Sequence, residues 1–567
     1  MRDDVVGMPR GSYSDAALGV QPFTNDPADP YRRTEQTFPR LTDDMVNRLR
    51  RLGREQWFAN GSVLATPGSR ATDFHVVLEG ALEIIEHGFD GTRTVVVRHD
   101  RHQFTGELDL LNDRQSLVSA VAVGEVRTLL LDRTSFRQMM IAEPDIGEVV
   151  TRALILRRMG IIKHGHAQVA ILGDGGRGGA LRLQRFLTRN NFSNQVIQPH
   201  DELHSRLMAD HALNDGDLPA AFRADAKPLI RPSEAELADW VGLTEQLPAD
   251  AVHDLVVVGA GPSGLAAAVY AASEGLNTLV VEGFAPGGQA GTSSRIENYL
   301  GFPTGISGIA LAGRAHVQAQ KFGARLAISR QVRSLYCENS PYCLQLEDGQ
   351  RVQARVVVIA TGARYRRLEV AEYEAFEGRG IHYAATAVEG AVCAGQEVVV
   401  VGGGNSAGQA AMFLSRIASH VHVLVRGEGL AATMSDYLVQ RIRSSDSITL
   451  HTHTSVIGLD GDGRLEGVRW RSSKTGDEGR FVTASMFVMV GAEPNTGWLN
   501  NCVELDAKGF VETEVARGER SGAAFATSLP GVFAVGDVRA RSIKRVASAV
   551  GEGSAVVASI HRFLAAE

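Results

Sequence analysis

Two glycine-rich turns carry the residue types and spacing needed to bind nucleotides. The first reads Gly-Ala-Gly-Pro-Ser-Gly over 259–264, follows the apolar run His253–Val258, and precedes a second apolar run that ends at Glu282. Glycines at this spacing let backbone N–H groups approach a diphosphate at a helix N-terminus, and a carboxylate at that distance accepts hydrogen bonds from ribose hydroxyls. Strand, turn, helix and acid together predict a dinucleotide site.

The second turn repeats this pattern further along the chain. It reads Gly-Gly-Gly-Asn-Ser-Ala over 402–407, follows the apolar run Val398–Val401, and Arg426 ends the next strand. An Ala-Thr-Gly segment at 360–362 lies between the two turns, and Gly531–Asp537 precedes a helix near the end of the chain. Two dinucleotides are therefore expected. Because cofactors of this kind supply the redox chemistry, no side-chain acid, base or nucleophile is required.

The elements that position these turns follow from the apolar patterns. Alternating strands and helices after residue 250 predict a doubly wound α/β architecture. Upstream of this region, Thr42 is predicted to be the N-cap of a helix. The segment Trp57–Asp132 has the pattern of short strands separated by glycines, which predicts a small β-barrel or jelly roll. A helical stretch over Ser135–Lys163 leads into a β-α-β pattern, and a later helix opens at Ser233. A chain of 567 residues is expected to form three or four domains.

Charge and cysteine content argue against several classes of function. The 58 basic and 65 acidic residues give a net charge of −7, so neither nucleic acid nor an anionic membrane surface is expected as a partner. Four cysteines, no apolar signal segment and no apolar run of membrane-spanning length predict a reducing cytoplasm without disulfides. His164 and His166 lack further candidate ligands, so no metal site is expected.

Residues 253–567 resemble low-molecular-weight thioredoxin reductases, with the motifs above in that family's order. The loops Gly287–Gln289 and Glu297–Tyr299 match those that touch the flavin, and Asp537 matches the acid near its ribityl and phosphate end. Lys544–Val546 stand where the family has Arg-Gln-Ala. The resemblance implies FAD and NADP(H) as cofactors, hydride transfer from the nicotinamide to the flavin, and a homodimer.

The sequence departs from that family at the redox-active cysteine pair. Thioredoxin reductases read Tyr-Cys-Ala-Thr-Cys where residues 383–387 read Tyr-Ala-Ala-Thr-Ala. Without thiolates at Ala384 and Ala387, thiol–disulfide exchange by the usual route is not expected. Cys337 and Cys343 are interpreted as packed or incidental thiols. Cys393 is either a displaced redox thiol or, as we favour, a buried small hydrophobe.

The preference for NADP over NAD depends on one arginine. NADPH-specific members of the family carry a second arginine shortly after the one that ends the strand, but here Arg426 is followed by Gly-Glu-Gly-Leu. A single arginine can still pair with a 2′-phosphate through two hydrogen bonds. NADP is therefore favoured.

Two further resemblances cover the N-terminal half. Residues 55–137 resemble a cyclic-nucleotide-binding domain in which Glu107 would hold the ribose. The phosphate-binding arginine is missing or displaced to Arg114, so weak cyclic-nucleotide binding and a purely packing role both stay open. Residues 168–242 resemble a thioredoxin or glutaredoxin fold, with Leu218–Pro219 where that fold carries its cis-proline and a cysteine-free Gly-rich loop at 173–178. A docking or spacer role is favoured there.

The predicted fold class is multidomain, with an N-terminal β-barrel, an α/β thioredoxin-like middle domain and an α/β flavoprotein containing two Rossmann domains. The predicted domains are a mobile tail at 1–35, a cyclic-nucleotide-binding-like domain at 36–150, a thioredoxin/glutaredoxin-like domain at 165–245, an FAD-binding domain at 251–364 and 489–567, and an NAD(P)H-binding domain at 365–488. The predicted cofactor-binding residues are Gly259, Gly261, Pro262, Ser263, Gly264, Glu282, Gly288, Gln289, Asn298, Val332, Thr361, Gly362, Gly402, Gly404, Asn405, Ser406, Ala407, Arg426, Gly536, Asp537 and Arg545.

The favoured hypothesis is an oxidoreductase in which NADPH reduces FAD and the reduced flavin serves an unidentified acceptor directly. One alternative is a regulatory flavoprotein that senses redox or nucleotide state and signals through the N-terminal domains. Another is a thioredoxin-disulfide reductase that uses Cys393. The acceptor itself is not identifiable from the sequence.

Overall fold

The computed structural model describes residues 29–70, 73–106, 110, 115–116, 118–164, 168–173, 178–223, 226–244, 247–248, 251–293, 295–513 and 523–567. The chain divides into two compact units. The first comprises the described residues up to Ala170 with Phe192–Asn194 and Phe222–Pro228, and the second comprises Ile171–Asn191, Gln195–Ala221 and the described residues from Leu229 to Glu567. Within these ranges no helix has both the length and the apolar character needed to cross a membrane.

The N-terminal unit is built on an antiparallel sheet in the order β1-β6-β3-β4, with β2 paired to β6 and β5 paired to β3. Phe74, Phe104 and Phe136 are fully buried in its core. Its strands are β1 (Arg54–Phe58), β2 (Val63–Ala65), β3 (Phe74–His87), β4 (Arg93–His99), β5 (Phe104–Thr105) and β6 (Val118–Leu131), and its helices are α1 (Thr34–Thr37), α2 (Asp43–Leu49), α3 (Arg133–Ala142) and α4 (Pro144–His164).

The helices of this unit confirm two sequence predictions. The N-cap at Thr42 is confirmed, because its hydroxyl accepts a hydrogen bond from the Met45 N–H at 3.2 Å. The helical stretch predicted over Ser135–Lys163 is confirmed, and the non-helical residue Glu143 divides it into α3 and α4. The cause is Pro144, whose ring disfavours the helical conformation in the residue before it.

The middle segment forms a four-stranded sheet in the order β10-β9-β7-β8. The peptide bond between Leu218 and Pro219 is cis, and α7 begins with a capping box in which the Ser233 and Glu236 side chains each accept a hydrogen bond from the other's backbone N–H. The strands are β7 (Val169–Leu172), β8 (Asn194–Ile197), β9 (Ala220–Arg223) and β10 (Ala226–Ile230), and the helices are α5 (Gly179–Arg189), α6 (Glu202–Asp210) and α7 (Glu234–Trp240).

The largest sheet carries the first glycine-rich turn. Its strand order is β13-β12-β11-β16-β15-β14, with β27 beside β16, and β11, β12, β13, β16 and β27 run parallel. Hydrophobic clusters cover both faces, and the C-terminal parts of the paired strands β11 and β16, Leu255–Val258 and Val356–Ile359, are entirely apolar and buried. These elements are β11 (Val252–Val258), β12 (Thr278–Glu282), β13 (Arg325–Ile328), β14 (Val332–Tyr336), β15 (Tyr342–Leu346), β16 (Arg351–Ile359) and β27 (Val532–Ala534), with helices α8 (Pro262–Ser273), α9 (Gly308–Lys321) and α14 (Val546–Ala566).

A second parallel sheet, in the order β18-β25-β19-β20-β21, carries the second turn. The antiparallel sheet β22-β23-β24 lies within the same stretch of chain, and β17 pairs with β26. The bounds are β17 (Ala363–Tyr365), β18 (Ile381–His382), β19 (Glu397–Val401), β20 (His420–Leu424), β21 (Ile448–His451), β22 (Thr454–Asp460), β23 (Gly467–Ser472), β24 (Glu478–Val482), β25 (Met486–Val488) and β26 (Ala492–Pro494), with helices α10 (Tyr373–Phe376), α11 (Ala387–Val392), α12 (Asn405–Leu414) and α13 (Asp436–Arg443).

A disulfide joins Cys337, which follows β14, to Cys502. The prediction that the chain has no disulfide, and that Cys337 is a packed or incidental thiol, is therefore wrong. The two cysteines are 165 residues apart in sequence. Their Cα atoms lie 6.0 Å apart because the short helical turn Gly497–Leu499, just before Cys502, packs against β14. Cys343 and Cys393 are free.

Candidate functional site

The first glycine-rich turn is shaped by close backbone packing on one side and open space on the other. A Cβ at Gly264 would collide with the carbonyl oxygen of Gly259, and a Cβ at Gly259, where φ is +105°, would collide with that of Ala360. Gly261, the N-cap of α8, has no atom within 4 Å of the place its Cβ would occupy. The free N-terminus of α8 therefore faces an opening, as an anion site on a helix requires.

Glu282 is held in position at the end of β12 by backbone donors. The Ala260 N–H donates to its Oε2 at 2.7 Å, and the Phe284 N–H donates to its Oε1 at 2.9 Å. Because both oxygens are held by the turn and by the loop after β12, the carboxylate has a fixed orientation at the wall of the opening. This is the position from which it can accept hydrogen bonds from a ribose.

The opening is a cleft of about 1200 Å³ within the second unit. It brings together residues from both glycine-rich turns and from the C-terminal segment. The predicted site residues that line it are Gly259, Gly261, Pro262, Ser263, Glu282, Gly288, Gln289, Asn298, Thr361, Gly362, Asn405, Ser406, Asp537 and Arg545.

The remaining predicted residues do not line this cleft. Gly264 and Gly536 lie behind the wall, where a Cβ at Gly536 would be 2.5 Å from the Ser263 hydroxyl oxygen. Val332 is 6% exposed and packs in the hydrophobic cluster under the sheet, so no contact with the cleft is seen for it. Gly402, Gly404, Ala407 and Arg426 belong to the second turn and its strand, and Arg426 is exposed.

Sequence reasoning missed several residues of the cleft. The Asn495 amide donates to the Thr361 carbonyl at 2.9 Å and the Thr361 hydroxyl donates to the Asn495 carbonyl at 2.8 Å, which ties together segments 134 residues apart. Tyr365 and Tyr383 stack at 6.0 Å between ring centroids, and Arg189 enters from the middle segment. Only the Ala-Thr-Gly motif at 360–362 gave any signal for this contact network.

Asp537 and Lys544 face each other across the C-terminal wall. Burial raises the pKa of Asp537, an effect that the nearby Lys544 opposes, and burial lowers the pKa of Lys544. The Lys544 ammonium donates to the Asp537 carbonyl at 2.5 Å. The pair is thus held beside Arg545, which caps α14, and together they supply a carboxylate and two cations to this end of the cleft.

Residues 253–553 match the family model described as pyridine nucleotide-disulphide oxidoreductase, and residues 55–143 match that described as cyclic nucleotide-binding domain. The chain belongs to the pyridine nucleotide-disulphide oxidoreductase family. It is 36% identical over 314 residues to a thioredoxin reductase of Mycolicibacterium smegmatis, covering 55% of this chain and 97% of that protein. It is 34% identical over 316 residues to a bifunctional thioredoxin reductase/thioredoxin of Mycobacterium leprae, covering 56% of this chain and 67% of that protein.

The fold agrees with these relatives. The crystal structure of thioredoxin reductase from T. acidophilum superposes with a TM-score of 0.51 at 30% identity, covering 55% of this chain and 98% of that one. This member of the pyridine nucleotide-disulphide oxidoreductase family is an FAD-dependent NADPH oxidoreductase that resembles thioredoxin reductase. The resemblance stated from the sequence motifs is confirmed for the flavoprotein half and for the presence of a cyclic-nucleotide-binding domain.

The residues of the cleft fit FAD. Gly261 leaves open the space that a diphosphate needs at the N-terminus of α8, Glu282 is oriented for the ribose, and a cleft of about 1200 Å³ exceeds the size of an ordinary small-molecule pocket. Gln289 and Asn298 lie on the same wall, as expected for loops that touch the flavin. Asn405 and Ser406 bring the second turn into the same cleft.

The second turn is held by hydrogen bonds from the segment before α13 and by close backbone packing. The Asn405 side-chain oxygen accepts a hydrogen bond from the Ser435 N–H at 2.7 Å, and the Thr433 hydroxyl donates to the Gly403 carbonyl at 2.7 Å. A Cβ at Gly402, where φ is +143°, would collide with the Met489 carbonyl. Arg426 at the end of β20 is exposed and makes no ion pair with any described residue, so its charge is available to a 2′-phosphate.

Arg426→Ala is expected to weaken NADPH binding selectively. A charge-assisted arginine–phosphate contact contributes roughly 1.5–3 kcal/mol, so the NADPH concentration for half-maximal flavin reduction should rise about 10- to 100-fold, while that for NADH stays unchanged. Anaerobic flavin reduction at varied NADPH and NADH measures both. Arg471→Ala, which removes an exposed arginine from β23, is the matched control. An equal effect on NADH would contradict the assignment of Arg426 to the 2′-phosphate.

The segment that would carry the redox cysteines is a capped helix start. Ala384 lines the cleft, Thr386 is the N-cap of α11, and the Thr386 N–H donates to Glu389 at 2.9 Å. Glu389 is 2% exposed and pairs with Arg185 of α5 at 2.6 Å. Arg185 also contacts the His382 ring at 2.9 Å. Hydrogen bonds and an ion pair therefore hold this segment where the family places sulfur.

Cys393 is placed unfavourably for redox exchange. It is fully buried within the hydrophobic cluster of the second parallel sheet, and burial raises the pKa of its thiol to about 11. At neutral pH the thiol is protonated, and only the thiolate attacks a disulfide. The described part of the cleft wall contains no cysteine.

A small cavity of about 50 Å³ lies inside the N-terminal unit, in the sheet that matches the cyclic-nucleotide-binding family. Arg157 of α4 enters it, donates to the Thr37 carbonyl at 2.9 Å and the Phe104 carbonyl at 3.0 Å, and stacks over the Phe104 ring. Burial lowers the pKa of His75 to about 4. Glu107 and Arg114, the candidate ribose and phosphate ligands, lie outside the described residues.

Proposed function

We propose that this protein passes electrons from NADPH through FAD directly to an acceptor, without a protein dithiol. FAD, when bound, accepts hydride from the nicotinamide and releases electrons to the acceptor. The observation that carries the proposal is Ala384 in the cleft, together with Cys393, the free cysteine nearest to it in sequence, which is fully buried in a hydrophobic cluster.

In this proposal the protein's residues act by binding and orientation. Glu282 and the turn at 259–264 hold the FAD ribose and diphosphate, and the turn at 402–407 with Arg426 holds NADPH. Asp537 and Arg545 contact the other end of the FAD. The stacked Tyr365 and Tyr383 close part of the cleft and exclude water, and burial raises the pKa of both phenols, so they stay protonated at neutral pH.

NADPH is expected to bleach the flavin while thioredoxin and aromatic disulfides are reduced weakly or not at all. The physical reason is that no sulfur stands where the flavin could pass electrons to a disulfide, because residues 384 and 387 are alanine. Anaerobic stopped-flow absorbance at the flavin band measures the first step. Turnover with thioredoxin and with an aromatic disulfide, against an artificial quinone acceptor, measures the second.

Cys393→Ser is the matched variant for this test. If direct transfer is right, this variant retains both flavin bleaching and quinone turnover at wild-type rates. Robust disulfide reduction that disappears in Cys393→Ser would overturn direct transfer and establish the displaced-thiol alternative.

The domain boundaries stated from the sequence are part of the proposal, as are the predicted cofactor contacts of Val332 and the remaining site residues. The middle segment is proposed to be thioredoxin-like, in keeping with its sheet order β10-β9-β7-β8. A homodimer and a cytoplasmic location stay predictions.

A second candidate function is regulatory, and the match of residues 55–143 to the cyclic nucleotide-binding domain favours it. In that case the N-terminal domain senses a ligand and changes the behaviour of the flavoprotein. NADPH turnover with artificial acceptors separates the two functions, because a pure sensor would turn over far more slowly than an oxidoreductase.

Cyclic AMP and cyclic GMP are expected to bind weakly. The cavity formed by the described residues is about 50 Å³, and Arg157 lines it together with aromatic side chains. Loss of the usual arginine–phosphate pair lowers affinity by roughly a hundredfold. Calorimetry on the full chain measures this. Low-micromolar binding that is lost in Arg114→Ala would show that Arg114 serves the phosphate and that the degenerate interpretation is wrong.

A further inference from the structure

Helix α5 of the middle segment packs against the loop that follows β12 of the FAD-binding sheet. The Phe186 ring meets the Phe284 ring edge-on at 5.4 Å, and the Asn190 side chain donates to the Phe284 carbonyl at 3.1 Å. Arg189 lies over the same ring, with 5.1 Å between its guanidinium carbon and the ring centroid. Phe186 and Arg189 of α5 and its C-cap residue Asn190 therefore all contact a single residue of the loop after β12.

Arg189 extends from this contact into the cleft. Its Nη2 donates to the Gly288 carbonyl at 2.7 Å, and the guanidinium lines the cleft together with Gly261 and Glu282. A Cβ at Gly291 would lie 3.4 Å from Nη2, so the loop passes close beside the guanidinium at a residue without a side chain. The loop therefore contacts the guanidinium at both Gly288 and Gly291.

The charge of Arg189 is not matched by the protein, unlike that of its neighbours on α5. Arg182 pairs with Glu234, and Arg185 pairs with Glu389 at 2.6 Å. Among the described residues no carboxylate lies within 4.0 Å of the Arg189 guanidinium, whose one recorded hydrogen bond is to a neutral carbonyl. Burial lowers the pKa of Arg189, and Glu282 acts on it only from a greater distance. A partly buried arginine that contacts no carboxylate is suited to bind an anion.

The position of Gly288 identifies the part of the cofactor that this charge meets. A Cβ at Gly288 would lie 3.1 Å from the Gly261 Cα, so the residue whose carbonyl accepts the hydrogen bond from Arg189 lies beside the first glycine-rich turn. That turn faces the diphosphate of a bound dinucleotide. A guanidinium at this place can form two parallel hydrogen bonds to the diphosphate oxygens.

We propose that Arg189 binds the FAD diphosphate, so that the middle segment completes the cofactor site of the flavoprotein. Bound FAD then also stabilises the position of α5, because its diphosphate is the anion that pairs with the Arg189 guanidinium. The middle segment is therefore a working part of the cofactor site and not a spacer. This inference rests on FAD as the cofactor, which the wild-type protein tests separately.

Neutral variants of the full chain test the proposal. Apoprotein is titrated with FAD, followed by flavin fluorescence, and with ADP, followed by calorimetry. Arg189→Gln and Arg189→Met are each expected to raise the Kd for both ligands about 10- to 100-fold, because both ligands contain the diphosphate. Arg189→Lys, which keeps the charge but cannot form two parallel hydrogen bonds, is expected to bind both ligands with a Kd between those of wild type and the neutral variants. Arg182→Gln, on the same helix, is the matched control and is expected to leave both Kd values unchanged.

Each outcome has one interpretation, provided that the thermal unfolding midpoint of the apoprotein matches wild type. Met keeps the packing on the Phe284 ring, so it replaces Gln as the deciding variant if Gln prevents folding. Wild-type FAD affinity in a folded neutral variant overturns the proposal. So does a loss for FAD with unchanged ADP binding, which would move Arg189 to the isoalloxazine. A wild-type apoprotein that binds no FAD would refute the cofactor assignment instead.

Discussion

Gly264→Ala is expected to yield a colourless, destabilised protein. The added Cβ would run into the Gly259 carbonyl oxygen, a backbone atom that cannot move without opening the contact between α8 and β11. Such overpacking costs roughly 1–3 kcal/mol or more, and the better helix propensity of alanine offsets only about 1 kcal/mol. Because the displaced atoms form the diphosphate turn, FAD should be lost as well. The free energy of unfolding of the apoprotein and the visible spectrum after purification measure the two effects.

Gly261→Ala is the matched control variant, because it adds a Cβ to the same turn without such a clash. Gly261 has φ −69° and no atom within 4 Å of its Cβ position, so alanine should leave the stability of the apoprotein unchanged. The same Cβ would point at the bound diphosphate and weaken FAD binding. The pair of variants therefore separates folding from cofactor binding. A yellow Gly264→Ala protein of normal stability, or an unstable Gly261→Ala apoprotein, would contradict the role assigned to this turn.

Short sequence patterns were sufficient to predict the strand, the turn and the acidic residue on the first side of the cleft. The strand before Gly259, the turn itself and Glu282 are close in sequence, and each follows from a backbone requirement that few residues satisfy. The caps at Thr42 and Ser233 are confirmed for the same reason, since a side chain that satisfies a free N–H acts within three residues of its own position.

Contacts between distant segments could not be predicted in this way. The Cys337–Cys502 disulfide and the hydrogen bonds between Thr361 and Asn495 join residues more than a hundred positions apart. The entry of Arg189 into the cleft depends on how α5 packs against another sheet. No spacing rule encodes such meetings, because they arise from the topology of the sheets and not from the local chain.

The cofactor cleft and the alanines at positions 384 and 387 together favour electron transfer without a protein dithiol. In a disulfide reductase the segment at 384–387 must expose a dithiol, but here Glu389 caps it and Arg185 pairs with that carboxylate. An ion pair with a carboxylate 2% exposed resists disruption, because separating the charges would leave the Glu389 carboxylate buried without its arginine. The segment is therefore suited to a fixed structural role beside the flavin.

Glu552→Ala is expected to destabilise the flavoprotein strongly. Glu552 of α14 accepts a hydrogen bond from the Gly536 N–H at 2.7 Å and pairs with Arg539 at 2.6 Å, with both side chains at most 12% exposed. Removing the carboxylate leaves a buried guanidinium and a buried N–H without their acceptor, which costs about 3–5 kcal/mol. Since Gly536 adjoins Asp537 at the cleft, FAD should also dissociate faster.

An exposed ion pair provides the control that separates the effect of burial from the loss of a carboxylate in general. Glu478→Ala removes the partner of Arg471 on the surface of β24, where both side chains are more than half exposed, and should cost no more than about 1 kcal/mol. Thermal unfolding of the two apoproteins and the rate of FAD release from the two holoproteins provide the measurements. If Glu552→Ala unfolds within a degree or two of Glu478→Ala, the buried pair does not brace the C-terminal wall. A drop of roughly 10 °C, with faster FAD release only in Glu552→Ala, would show that α14 holds Asp537 against the cofactor through this carboxylate.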